Sequence, residues 1–292
     1  MSLLIKKINN HIVTAIPKKG GGDRRPVKGA DLFDIYCNIY ICSKKKSGKT
    51  SVIYKIIKEF CTKNVTIVAF VSTLHKDSSW EAIQDYCDNK GIPFIGHTSL
   101  MDDVITDLDK LDTLVKSLKK RSKDHEEGSS EPSTVKPVDR NMFDSTILNG
   151  AGEPVPEEEQ EPKKTRSKYQ VPEYFFIFDD ISQELKHSAS ITSLLKDSRH
   201  MKAKVIISSQ SWNDVPLDGR GQIDYLLLFK GIPEKKLLEI YDEIGISPTF
   251  EQFEKIYDLA TNEPFNFLYI DKNDDSLRRN FNTIIKIGQT PR

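Results

Sequence analysis

Residues 43–50 read Ser-Lys-Lys-Lys-Ser-Gly-Lys-Thr. They fit the phosphate-cradling pattern G-x-x-x-x-G-K-[ST] at every fixed position but the first, where Ser43 replaces glycine. The chemistry expected of such a loop is the binding of a nucleoside triphosphate, ATP, with Mg²⁺. Backbone N–H groups along Ser43, Lys44, Lys45, Lys46, Ser47, Gly48, Lys49, Thr50 and Ser51 would face the phosphate oxygens. The Lys49 ammonium would lie along the β- and γ-phosphates, and the Thr50 hydroxyl would ligate Mg²⁺. Ser43 is a departure, because glycine at that place permits backbone angles closed to other residues.

Hydrolysis needs more than a cradle. Residues 175–180, Phe-Phe-Ile-Phe-Asp-Asp, are an apolar strand ending in two acids. Asp179 at the strand end is placed to hold Mg²⁺ through water, and Asp180 to polarise the attacking water. Asp180 also reads as the cap of a helix that starts near Ser182, and both roles are compatible. A further apolar strand, 205–210, ends in Gln210, whose amide can orient water at the γ-phosphate or report on that phosphate; alone it would read as a loop residue. Arg199 precedes this strand and is the candidate for the arginine that offsets developing charge, supplied within one chain or by a neighbour. Spacing alone supports a structural ion pair equally, and Arg220, Arg278 and Arg279 are lesser candidates.

Strands and helices must carry these residues. Apolar runs predict strands at 35–42, 65–72, 93–96, 173–180, 203–209, 223–229 and 266–270. Helical spacing predicts helices at 50–62, 80–90, 102–118, 182–198, 233–244 and 249–260. Strands apolar throughout and alternating with helices predict an α/β fold, a mostly parallel sheet covered by helices on both faces. The loop at 43–50 then has the strand before it and the helix after it that a P-loop requires.

The remaining composition sets bounds. Residues 1–60 carry 13 Lys/Arg against four Asp/Glu, a net of +9, which suits contact with phosphates or a solvated tail. Residues 1–34 read as a basic, flexible N-terminal segment. Residues 119–168 hold five prolines and a single aromatic, Phe143, and cannot bury a core. They divide the ATPase domain into 35–118 and 169–292. No apolar run approaches the ~18–20 residues that span a bilayer, so a soluble, intracellular protein is expected. The four cysteines, Cys37, Cys42, Cys61 and Cys87, lack metal-ligand spacing and read as buried free thiols.

The order strand–Ser-Gly-Lys-Thr, strand–Asp-Asp, Arg199-His200, strand–Ser-Ser-Gln210 resembles the FtsK–HerA superfamily of ATPases. Within it the chain is most similar to the genome-packaging ATPases of poxvirus-type double-stranded DNA viruses and their virophages, over roughly 35–118 and 170–290. The resemblance implies a RecA-like core, a homo-oligomeric ring (pentamer or hexamer), and ATP-driven movement of double-stranded DNA into a preformed capsid. It implies capsid or portal-vertex proteins as partners, and residence in host cytoplasm, viral factory or virion. It assigns phosphate and Mg²⁺ binding to Lys49 and Thr50, Mg²⁺ support to Asp179, the catalytic acid position to Asp180, γ-phosphate sensing to Gln210, and the trans-acting arginine to Arg199. Asp180 stands where many such motors carry glutamate. Two other readings compete: a P-loop nucleoside or nucleotide kinase, though 119–168 makes no Arg-rich lid, and a protein that binds ATP without turnover.

Overall fold

The computed structural model describes residues 23–101, 109–127 and 168–286. The first strand, β1 (Asn38–Cys42), enters the loop at 43–48, and helix α1 (Lys49–Phe60) leaves it. Then come β2 (Thr66–Val71), α2 (Ser78–Lys90), β3 (Phe94–His97) and α3 (Lys110–Glu127). From residue 168 onward follow β4 (Tyr174–Asp179), α4 (Ser182–His187), α5 (Ala189–Asp197), β5 (Ala203–Ser209), the short α6 (Leu217–Arg220) and β6 (Tyr225–Phe229). The chain closes with α7 (Glu234–Ile244), α8 (Phe250–Ala260), β7 (Phe267–Asp271), β8 (Ser276–Arg279) and β9 (Thr283–Ile284).

The nine strands among the described residues form one sheet in the order β3-β2-β4-β5-β1-β6-β7-β8-β9. The six from β3 to β6 are parallel, and β7, β8 and β9 continue the sheet antiparallel. Alternate residues of each central strand therefore enter opposite cores. Phe176 and Phe178 of β4 pack on one face with α3, α5, α7 and α8, while Phe175 and Ile177 pack on the other with α1 and α2. The expected α/β fold with both faces covered is observed.

Four expectations change. The strand expected last, at 266–270, is followed by two more, because the polar, alternating Ser276–Arg279 pairs with β7 as a hairpin. The helix expected over 182–198 is two helices, broken where Ser188 turns extended and its hydroxyl accepts from the Ile191 N–H at 3.3 Å. Helix α3 runs on to Glu127, into the stretch read as an insert; residues 128–167 lie outside the described ones, as do 102–108, where that helix was expected to begin. Within 23–34, read as flexible, Leu32 and Phe33 are buried and anchor the segment: Phe33 is 1% exposed and its ring sits against Phe60, Tyr225, Tyr269 and Phe281, while 1–22 lie outside the description.

All four cysteines are free and buried, and burial pushes Cys37 up to about 11 and Cys42 up to about 12, so these thiols stay protonated and inert. Among the described residues no helix is long and apolar enough to cross a membrane.

Candidate nucleotide-binding site

The parallel register brings the ends of three strands level. Cys42 of β1 is paired with Ser209 of β5, and Asp179 of β4 with Ser208. The residues that follow them, Ser43, Gln210 and Asp180, therefore emerge side by side at one edge of the sheet. Short ladder extensions fix two of them: the Ser43 N–H donates to Ser209 O at 3.0 Å, and the Asp180 N–H to Ser208 O at 3.3 Å. Strand β5 lies between the P-loop strand and the acid-bearing strand, so Gln210 comes out between Ser43 and Asp180.

Ser43 is 2% exposed and keeps an ordinary backbone. The left-handed residues of this loop are instead Lys46 (φ 62°) and Gly48 (φ 92°). Gly48 precedes the first residue of α1 and offers no side chain to cap it, and the first turn of α1 holds no acid. The partial positive charge of a helix N-terminus is thus left for an external anion. A Cβ on Gly48 would stand 3.1 Å from Phe265 Cδ1, so the ring would have to give way by a few tenths of an ångström.

Lys49 is the centre of the site. Its Nζ stands 3.1 Å from Asp179 Oδ1 and 2.5 Å from Asp180 Oδ1, and its side chain is 10% exposed. The other oxygen of Asp179, Oδ2, accepts from the indole Nε1 of Trp80, a fully buried residue of α2, at 3.2 Å. Burial raises the Asp179 pKa; the Lys49 ammonium pulls it back. Asp180 holds a left-handed backbone (φ 55°), which turns its carboxylate back over Lys49 at the start of the segment leading to α4. It does not cap α4, whose N-terminus has Ile181 and no side-chain hydrogen bond, so the capping alternative is not observed.

A cleft of about 970 Å³ opens over this cluster, a size that holds a small-molecule ligand. Lys45 through Ser51 form its floor; the segments after β2 (72–79) and β4 (180–184), with Gln210 and Phe265, form its walls. Of the expected phosphate-binding residues, Lys44 turns its side chain aside, along Gly231 beyond β6, and Ser43 is covered by the loop. The hydroxyls of Ser43 and Ser47 are buried with no hydrogen-bond partner among the described residues. Ser47 lines the cleft, so an incoming oxygen acceptor would satisfy it.

Arg199 is not brought to the cluster. It precedes β5, so the strand's length, about 20 Å, separates it from Gln210. Its side chain is 67% exposed and stands 3.8 Å from Asp224 at the opposite edge of the sheet. Trp80 and Phe265 were missed by sequence reasoning. Trp80 resembles any core tryptophan in sequence; Phe265 had one signal, a bulky aromatic inside the turn-forming run Asn262-Glu263-Pro264-Phe265-Asn266.

Strand, Gly-Lys-Thr loop, helix and a lysine on the acid that ends β4, one strand removed from β1, now stand together. This is a P-loop NTPase fold. No family model matches the chain. Over 100 residues it is 33% identical to an uncharacterized protein, 075L, of Invertebrate iridescent virus 6, a match spanning 33% of this chain and 38% of that protein. The chain is similar to the genome packaging NTPase B204 of Sulfolobus turreted icosahedral virus 2 in complex with sulfate, with 16% identity, 85% of this chain and 96% of that one covered, and a TM-score of 0.49. It is also similar to ATPases 2 and 3 of EccC from Thermomonospora curvata, with 10% identity, 88% of this chain and 37% of that one covered, and a TM-score of 0.45.

Proposed function

We propose that the chain is a Mg²⁺-dependent ATPase of the FtsK–HerA superfamily that drives double-stranded DNA into a viral capsid as a homo-oligomeric ring. The observation that carries the ATPase reading is Lys49 held between Asp179 and Asp180, with Gln210 on the strand between loop and acids. A lysine bridging two carboxylates is the arrangement expected of a site awaiting its anion. Phosphate oxygens offer the ammonium stronger partners, so Lys49 moves onto them and releases both acids.

The donor set suits Mg²⁺. Thr50 offers a hydroxyl and Asp179 a carboxylate, hard oxygens of the kind that hold Mg²⁺ together with phosphates and waters. Among the described residues no group of three acid, His or Cys side chains could hold a metal alone, which fits a cation that arrives with its nucleotide. Mg²⁺ bound there would neutralise charge on the β- and γ-phosphates.

The protein's own part in hydrolysis is positioning and proton transfer. Gln210 and Asp180 flank the γ-phosphate position, Gln210 orienting a water and Asp180 taking its proton as the water oxygen bonds to phosphorus. The bond from phosphorus to the β–γ bridging oxygen breaks, and the electron pair leaves with ADP. Arg199, remote from its own cleft and exposed, is in this reading offered to a neighbouring subunit. DNA contact draws on the basic N-terminal segment, part of which, Arg24 and Arg25, is exposed beside the packed turn.

The test is ATP turnover with and without double-stranded DNA, for wild type, Lys49→Ala and Asp180→Asn, alongside sedimentation. Turnover raised by DNA, carried by a ring and lost in both variants is expected. A strict monomer whose turnover ignores DNA would overturn the motor reading, and turnover that survives Lys49→Ala would overturn the site.

A further inference from the structure

Phe265 is 68% exposed, yet it is held in place. It occupies the turn between α8 and β7 with φ 66°, a conformation bulky residues rarely adopt. The turn is clamped on both sides. Asn266 Nδ2 donates to Glu263 Oε2 at 3.2 Å, and Asn280 Nδ2 donates to Asn266 Oδ1 at 2.8 Å. The Phe267 N–H donates to Asn280 Oδ1 at 3.1 Å, and Lys230 Nζ donates to the carbonyl of Asn262 at 3.3 Å. Hydrogen bonds therefore fix the turn on either side of Phe265, whose ring lies outside the core, against Gly48 and in the wall of the cleft.

The order of strands says which end of a nucleotide meets this ring. Strand β1 has β5 on one side and β6, then β7, on the other. The γ end of a triphosphate belongs on the β5 side, where Lys49, Asp179, Asp180 and Gln210 stand. A chain of phosphates laid along the loop then delivers its nucleoside end toward β6 and β7, where Phe265 precedes β7. An exposed, prepositioned aromatic face there matches the face of a base.

We propose that Phe265 is the stacking platform for the base of the bound nucleotide, and that it favours purines, which offer the larger face. The proposal rests on the nucleotide reading of the same cleft and adds the residue that recognises the base.

Calorimetric titration with two probes separates the two ideas: a non-hydrolysable ATP analogue with Mg²⁺, and inorganic tripolyphosphate with Mg²⁺, which has no base. Phe265→Ala should weaken the analogue about ten-fold and leave tripolyphosphate unchanged. Phe265→Trp should keep wild-type affinity for the analogue, with indole fluorescence quenched on binding. Binding of the analogue by Phe265→Ala within about two-fold of wild type overturns the platform. Equal weakening of both probes also overturns it, since the ring would then only support the loop at Gly48. Wild type binding neither probe removes the nucleotide reading and the platform with it.

Discussion

Replacing Lys49 by methionine should destabilise the nucleotide-free protein, quite apart from abolishing turnover. Methionine keeps most of the volume of the stem, so the change is chiefly electrostatic. Lys49 and Asp179 have side chains only 10% and 3% exposed, and Asp180 has 26%. Removing one partner of a buried ion pair costs ~3–5 kcal/mol, because the remaining charge is left in a medium that solvates it poorly. Two features hold this case near the lower end. Asp180 is partly reached by water, and Asp179, whose pKa burial already raises, takes up a proton more readily once the ammonium is gone. About 3 kcal/mol corresponds to a melting temperature lower by roughly 6–12 °C for a domain of this size. Thermal unfolding by circular dichroism without nucleotide reads it directly. The decisive arm is Lys49→Met with Asp179→Asn. The asparagine carries no charge, and its carbonyl oxygen still accepts from Trp80 Nε1. The double variant should therefore recover at least ~1 kcal/mol of the loss, a coupling typical of residues in contact. A Lys49→Met protein that melts within about 2 °C of wild type, or a double variant no more stable than the single, would refute the claim that Lys49 neutralises buried acids.

Trp80→Phe keeps the packing but leaves Asp179 Oδ2 without its donor; expect a loss of ~1–3 kcal/mol and a higher Mg²⁺ concentration for half-maximal turnover, with an unchanged Mg²⁺ dependence counting against a positioning role. Arg199→Ala should cost under ~0.5 kcal/mol, since its ion pair is exposed, and should leave nucleotide affinity of the single chain unchanged. If Arg199 acts on a neighbour, the same variant loses turnover in the ring, and Lys49→Met subunits, which keep Arg199, restore it when mixed in; no restoration argues against action in trans. Lys204 is fully buried, with its Nζ 3.2 Å from Cys37 Sγ and 4.1 Å from the Phe60 ring centre, and burial lowers its pKa. The unfolded chain binds that proton more tightly, so the cost of burying the charge is largest near pH 7 and fades as pH rises toward the lysine value of ~10.4. Lys204→Met should match or exceed wild-type stability at pH 7 in urea unfolding, with the difference narrowing toward pH 10; a variant weaker at pH 7 would show the lysine to be stabilising.

The central strands were legible because residues buried on both faces leave a continuous apolar run, as in Tyr174–Asp179. That Lys49, Asp179 and Asp180 would meet was legible, because a Gly-Lys-Thr run after one apolar strand and paired acids after another come out at the same ends of parallel strands. Hidden were features set by long-range contact. Ser276–Arg279 is too polar to announce a strand and becomes one by pairing with β7. Arg199 and Gln210 look close in sequence, but the seven residues of β5 carry them to opposite edges. Trp80 meets Asp179 across 99 positions of sequence, which no local pattern reveals.

Six residues other than glycine have a left-handed backbone among the described ones, and three of them, Lys46, Asp180 and Phe265, stand around the same cleft. Glycine would relax each position by ~1 kcal/mol. Selection for stability alone would therefore steer all three toward glycine, and a lineage freed from its ligand would drift there first. Positions 46, 180 and 265 are thus where an evolving population would record loss of function soonest, well before the hydrophobic core showed any change.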